Sequence, residues 1–249
     1  MENTKSTSTI RTTQPNKLSI DWHSHILPGI DDGSRNVEES ISLLNSQMAQ
    51  GVKVAIATPH FYANDESVES FVDKRSKAFE LLKAELPETS LEIRLGAEVK
   101  YYEGISRLDG LKDLRIEESK ILLLEMPMIK WTEYMLRELV ELSGKNDIRI
   151  VLAHIERYMR FQKQDVWERL LESGILMQTN ASFFTSITSK RKALSLLQGG
   201  MIHLIGSDCH NMASRPPKLS KASEVIQKKL GHEYINQMNE YGYYLLEHK

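Results

Sequence analysis

Histidines and carboxylates recur along this chain at short, repeated spacings. His23 and His25 form an H-x-H pair in Asp21-Trp22-His23-Ser24-His25, and Asp31-Asp32-Gly33 follows closely. Thr58-Pro59-His60, Gly96-Ala97-Glu98, Leu124-Glu125 and Ala153-His154-Ile155-Glu156-Arg157 come next. The series closes at Gly206-Ser207-Asp208-Cys209-His210. In an extended segment side chains alternate, so His23 and His25 fall on one side, about 7 Å apart along it. Asp208 and His210 repeat that arrangement, with Cys209 turned away between them. Taken alone, an H-x-H is more often a half-buried polar strand end than a pair of ligands. Five of the eight histidines, however, gather with carboxylates in such segments, and packing does not explain that coincidence. The pattern points to a metal site. Imidazole and carboxylate donors without thiolate suit Mn²⁺, iron or Zn²⁺. The other histidines lack this context: His203 lies in an apolar run and reads as a hydrogen-bonded packing residue, while His232 and His248 read as solvated.

Cys209 to Arg215 also fits C-x5-R, the pattern of cysteine-dependent tyrosine phosphatases. That chemistry needs a low-pKa thiolate at a helix head, with backbone amides wrapped around phosphate. The segment has no glycine to let the backbone wrap an anion, so a cysteine mechanism is not expected.

The elements that must position these residues alternate in type. Runs rich in Val, Ile and Leu predict strands over Leu18–His23, Val52–Thr58, Leu91–Ala97, Ile121–Glu125, Ile148–Ala153, Leu176–Thr179 and Ile202–Gly206. Helical patterns lie between them over Val37–Gln50, Ser67–Leu86, Glu133–Ser143, Gln164–Glu172 and Lys190–Leu197, most of them closed by a glycine or proline. Strand–helix repetition of this kind predicts βα units around a mainly parallel sheet. Seven strands in 249 residues predict a single α/β domain, a barrel either regular or distorted. The histidines and carboxylates then fall at the C-terminal strand ends, where barrel enzymes place their chemistry.

Composition narrows the function classes. With 41% apolar and 27% charged residues, a core can form. A net charge of −2 and a pI near 6.5 leave no basic excess for nucleic acid or an anionic membrane. No apolar run approaches the roughly 18–20 residues of a spanning helix. The single cysteine fits a reducing compartment, so a cytoplasmic location is expected. Residues 1–17 are polar and Thr/Ser-rich and read as a flexible leader rather than a secretory signal, with one domain over 18–249. The helix opening at Asn36 suits an interface or solvent equally, so an oligomer stays open.

DWHSHILPGIDDG, ATPH, GAEVKYY, LLLEM, AHIERY and GSDCHN with the later RPP resemble the polymerase-and-histidinol-phosphatase (PHP) family. They are most similar to its branch of manganese-dependent bacterial protein tyrosine phosphatases, encoded with capsule and exopolysaccharide genes. The resemblance spans residues 20 to about 240. It implies the PHP fold, a distorted (β/α)7 TIM-like barrel in a single domain, and a centre of up to three ions, Mn²⁺ before iron or Zn²⁺. By that resemblance one ion is held by His23, His25, Glu98 and Asp208, a second by Glu98, Glu125 and His154, and a third by Asp32, His60 and His210. Asp31 is left as a buttress of its loop. Clustered divalent ions lower the pKa of a bound water and neutralise a phosphate monoester. Arg157 and Arg215 offer planar forks to phosphate oxygens, the plain alternative being an ordinary salt bridge. Glu156 reads as a partner of that segment rather than the acid. The implied activity is a phosphoric monoester hydrolase acting on phosphotyrosine in protein, with a bacterial tyrosine kinase tail as partner. Two alternatives remain: a PHP-type phosphatase of a small phosphomonoester such as histidinol phosphate, and a non-catalytic regulatory module of the same fold.

Overall fold

In the computed structural model, which describes residues 17–87 and 91–247, the strands form in the expected chain order. They are β1 (Ile20–Ser24), β2 (Val54–Ala57), β3 (His60–Phe61), β4 (Glu92–Leu95), β5 (Glu98–Lys100), β6 (Ile121–Glu125), β7 (Arg149–Leu152), β8 (Leu176–Asn180) and β9 (Leu204–Gly206). Seven staves thus become nine segments. The second breaks at Thr58-Pro59, where proline has no N–H for the ladder, and the third breaks at Gly96-Ala97. His60 and Glu98 therefore lie in short continuation strands, paired with each other in register. Every strand pair is parallel, in the orders β1-β2-β4 and β3-β5-β6-β7-β8-β9. The curled sheet returns on itself: Ser24 bridges to Cys209, Asp208 N donates to His23 O at 2.7 Å, and His25 N donates to Cys209 O at 2.9 Å.

Helices α1 (Val37–Ala49), α2 (Val68–Glu85), α3 (Glu133–Ser143), α4 (Gln164–Glu172), α5 (Ala181–Thr185), α6 (Lys190–Gln198), α7 (Leu219–Leu230) and α8 (His232–Glu247) pack around the strands. The side chains of Asn36, Ser67 and Thr132 cap α1, α2 and α3 by accepting from backbone N–H groups three residues on. The sequence reading did not assign α5, α7 or α8. The last is not a solvated tail. It buries Ile235, Asn239, Leu245 and Leu246, and the two leucines join Ile20, Trp22, Val54, Ile121 and Leu204 in one apolar cluster. Burying each leucine contributes about 1.5–3 kcal/mol. Asn239 accepts from Ser19 N at 2.9 Å and donates to Lys17 O, tying the entry of β1 to α8. The end of the barrel opposite the candidate ligands is thereby filled. His232 opens α8 exposed to solvent, as expected, and His203 Nδ1 accepts from Met177 N at 3.1 Å as a packing residue. His248 and residues 1–16 of the expected leader lie outside the described residues. Among the described residues no helix is long and apolar enough to cross a membrane.

Candidate metal centre

β1 carries one extra residue relative to β2, because Asp21 pairs with Ala55 while Ser24 pairs with Ala57. This bulge breaks the alternation, so Trp22 packs in the apolar plug while its neighbour His23 faces the polar end. Two glycines let backbone close on this strand. A Cβ on Gly206 would sit 2.5 Å from His23 Cβ, and one on Gly33 would sit 2.4 Å from His25 Cβ. The loop carrying Gly33 also delivers Asp31. Its Oδ2 accepts from His25 Nδ1 at 2.7 Å and from His60 N at 3.0 Å, and its Oδ1 accepts from Gly33 N at 2.9 Å. Burial opposes charge on Asp31, yet the His25 contact outweighs it and holds the carboxyl at about 2.

All nine sequence-predicted donors converge at this end of the barrel. His23 Nε2 lies 3.1 Å from both His25 Nε2 and Glu98 Oε2, and 3.7 Å from Asp208 Oδ1. Glu98 is the hub. Its Oε2 also approaches His25 Nε2 at 3.3 Å and His60 Nδ1 at 3.0 Å, and its Oε1 meets His154 Nε2 at 2.7 Å. Glu125 Oε1 lies 3.7 Å from His154 Nε2. Asp32 Oδ1 is 3.3 Å from both His60 Nε2 and His210 Nε2. Three groups have donor atoms within 4.8 Å of one another: His25, Asp32, His60 and His210; His23, His25 and Asp208; and His60, Glu98 and Glu125. These overlap the three ligand sets implied by the family. They differ in that His25 also joins the Asp32 group, His60 stands where His154 was expected beside Glu98 and Glu125, and Glu98 falls outside the His23, His25 and Asp208 group.

The donor set fits divalent cations. Two ring nitrogens face each other at 3.1 Å, and His210 Nε2 is buried with no hydrogen bond although Asp32 is near. Burial of that many polar atoms is costly unless something satisfies them, and a cation between the lone pairs does so. Electrostatics agree. Burial alone would suppress charge on His23, but Glu98 and Asp208 raise its pKa; burial, with His25 and Arg215, pushes His210 down to about 4. Glu98 and Asp208 stay well below the usual carboxylate range despite burial, held there chiefly by His23. His154 and Asp208 also sit at positive φ, +33° and +52°, a backbone cost of about 1–3 kcal/mol each that concentrates at functional sites.

Arg157 and Arg215 flank the centre, and both engage Asp208: Arg157 Nη2 reaches Oδ2 at 2.5 Å and Arg215 Nη2 reaches Oδ1 at 2.8 Å. Each side chain stays about one-third exposed, at 33% and 37%. The rest of each fork has no hydrogen bond to the described residues. Asn211 Oδ1 accepts from the backbone N–H groups of Ala213, Ser214 and Arg215 and so shapes the loop that carries Arg215. Cys209 is fully buried in an apolar cluster, and burial raises its thiol pKa. The C-x5-R match is therefore not a nucleophile loop.

A family model described as "Capsular polysaccharide synthesis, CpsB/CapC" matches residues 19–241. The chain belongs to the CpsB/CapC family. Tyrosine-protein phosphatase CpsB of Streptococcus agalactiae serotype V is 31% identical over 237 residues, covering 88% of this chain and 94% of the relative. Tyrosine-protein phosphatase YwqE of Bacillus subtilis is 29% identical over 240 residues, 92% of each chain. The fold matches a chain from crystal structures of YwqE from Bacillus subtilis and CpsB from Streptococcus pneumoniae, described as unique metal-dependent tyrosine phosphatases. That match has a TM-score of 0.77 at 27% identity and covers 92% of this chain and 95% of that one. A histidinol phosphate phosphatase from Lactococcus lactis shares the fold alone, at a TM-score of 0.51 and 13% identity over 91% of this chain and 93% of that one.

In this CpsB/CapC-family chain several residues around the donors were not found by sequence reasoning. Tyr158 Oη meets His154 Nδ1 at 3.0 Å, Asn180 Nδ2 donates to Asp208 Oδ2 at 2.7 Å, and Lys100 Nζ donates to Glu125 Oε2 at 2.8 Å. Gln178 Oε1 accepts from His154 N at 2.7 Å and lies 3.5 Å from His23 Nδ1. Their one sequence signal was polarity inside or just after a predicted strand. Glu156 accepts from Asn180 N, and burial raises its carboxyl to about 7.

Proposed function

We propose that this chain is a metal-dependent protein tyrosine phosphatase, with residues 18–249 as the phosphatase domain. The observation that carries the reading is the convergence of nine imidazole and carboxylate donors beside two arginines about one-third exposed. His23, His25, Glu98 and Asp208 would hold one ion, Glu98, Glu125 and His154 a second, and Asp32, His60 and His210 a third. Mn²⁺ is the proposed metal, with iron and Zn²⁺ as competitors. Bound divalent ions supply water of lowered pKa and neutralise the charge of a phosphate monoester. The chain's own residues do the positioning. Asp31 fixes the ring orientation of His25, Tyr158 that of His154, and Asn180 orients Asp208. Beyond their anchor on Asp208, Arg157 and Arg215 present to the phosphate oxygens N–H groups free of hydrogen bonds among the described residues, with Arg215 Nη1 3.9 Å from Asp32 Oδ2. A phenolate leaving group, of pKa roughly 10, needs no strong acid. The proposed physiological substrate is the phosphorylated tail of a bacterial tyrosine kinase serving capsule or exopolysaccharide synthesis, and the proposed location of this chain is the cytoplasm.

The test combines metal content with substrate comparison. Elemental analysis should find metal. Exhaustive chelation should stop turnover of a phosphotyrosine peptide, Mn²⁺ should restore it best, and kcat/KM should be far lower on histidinol phosphate. Full activity in metal-free protein would overturn the metal reading. Preference for histidinol phosphate would instead assign a small-molecule phosphatase.

A further inference from the structure

Metal ions and phosphate are recognised by polar groups, yet the segments that follow the donors of this centre carry large apolar side chains in water. Tyr62, Met128, Ile129 and Met212 are 40%, 52%, 51% and 48% exposed. Each lies within four residues of a donor: Tyr62 after His60, Met128 and Ile129 after Glu125, Met212 after His210. They make up half of the exposed large apolar residues in the described chain. Exposed apolar groups on several segments leading out of a polar site point to a ligand with an apolar part next to its charge.

Tyr62 is the best placed of the four. Phe61, at the end of β3, is fully buried in the outer core, so alternation turns Tyr62 to the side of His60. Its ring lies 5.6 Å from the His60 imidazole at 34°. Its backbone is pinned, because Tyr62 O accepts from Asp65 N at 3.0 Å and Glu66 N at 3.3 Å. Its hydroxyl makes no hydrogen bond to the described residues. The ring is thus held beside the donors with one face open and its polar atom idle.

We infer that Tyr62 is the aromatic platform on which the phenyl ring of the substrate phosphotyrosine packs, with the apolar side chains of the other rim loops completing the wall. The inference rests on the phosphatase reading above and names the residue that selects for an aromatic ester. Ring–ring packing of this kind changes affinity by about threefold to tenfold.

The experiment compares wild type, Tyr62→Ala and Tyr62→Phe, all loaded with Mn²⁺ and matched for metal content. KM and kcat are measured on a phosphotyrosine peptide, and the inhibition constant is measured for inorganic phosphate, which has no ring. Tyr62→Ala should raise KM for the peptide by about threefold to tenfold while the phosphate constant moves less than twofold. Tyr62→Phe should match wild type, since the hydroxyl has no partner. Equal shifts for peptide and phosphate would make Tyr62 a support of the metal centre. Unchanged peptide kinetics in Tyr62→Ala, or failure of Tyr62→Phe to restore them, would also overturn the platform. Wild type that turns over other phosphomonoesters but not the phosphotyrosine peptide would overturn the tyrosine-phosphatase reading and the platform with it.

Discussion

Asp31→Asn isolates the orientation of a single imidazole with almost no change of shape. The Asp31 side chain is 6% exposed and both of its oxygens face donors: His25 Nδ1 and His60 N on one side, Gly33 N on the other. An amide offers one acceptor where the site needs two. If its NH₂ turns toward Gly33, one buried hydrogen bond is lost and two donors oppose each other, a cost of about 1–3 kcal/mol in stability. If it turns toward His25, the ring must accept at Nδ1 and carry its proton on Nε2. Nε2 is the atom that lies 3.1 Å from His23 Nε2 and within reach of Glu98 and Asp208. Protonating it removes a ligand lone pair. Loss of such a supporting carboxylate typically weakens metal affinity by about ten- to a hundredfold, equivalent to roughly 1.4–2.7 kcal/mol. Mn²⁺ dissociation constants from competition with a chromogenic chelator, read beside kcat/KM at saturating Mn²⁺, are the assay. Asp31→Asn should bind metal about ten- to a hundredfold more weakly and regain much of its turnover when Mn²⁺ is raised. Metal affinity equal to wild type in a folded Asp31→Asn protein would refute the reasoning and return Asp31 to a loop buttress.

Arg157→Lys and Arg215→Lys keep the charge and lose the fork. A charge-assisted hydrogen bond carries about 1.5–3 kcal/mol, and the one-third exposure of each side chain discounts this toward a tenfold loss in kcat/KM on a phosphotyrosine peptide. Metal content should hold; unchanged kinetics in both variants would leave them as salt bridges to Asp208. Cys209→Ser should retain most turnover once folded and metallated, at a stability cost toward the low end of about 1–3 kcal/mol, because Gln47 Nε2 already approaches the thiol at 3.8 Å and can partner the hydroxyl, visible as a slightly lower Tm. Loss of several orders of magnitude in fully metallated Cys209→Ser would revive the thiolate mechanism. Native Cys209 should also resist alkylation by iodoacetamide, because its buried thiol is pushed up in pKa. Rapid labelling of the folded protein would contradict the buried position.

The donors and their strand-end placement were legible in the sequence because both depend on local pattern. Runs of Val, Ile and Leu mark buried strands, and a polar His or Glu directly after such a run falls at its end wherever the strand sits. The parallel barrel follows from the alternation of those runs with helical periods. What depends on distant pairing was not legible. The bulge that turns His23 inward exists only as a mismatch of β1 against β2, and no period-two count on one strand can register it. The splitting of two staves at Pro59 and Gly96 changed where His60 and Glu98 lie without moving them out of the site. Asp31 beside Asp32 looks interchangeable in a string of residues, yet one binds the back of His25 and the other faces the mouth. α8 offered only a mixed polar pattern, and its role as a plug came from contact with distant strands, β1 more than two hundred residues away among them, as in the Asn239 bond to Ser19. Sequence fixes which groups can bind and roughly at which end they gather. Direction and partner are set by contacts between segments far apart in the chain, and only tertiary packing supplies those.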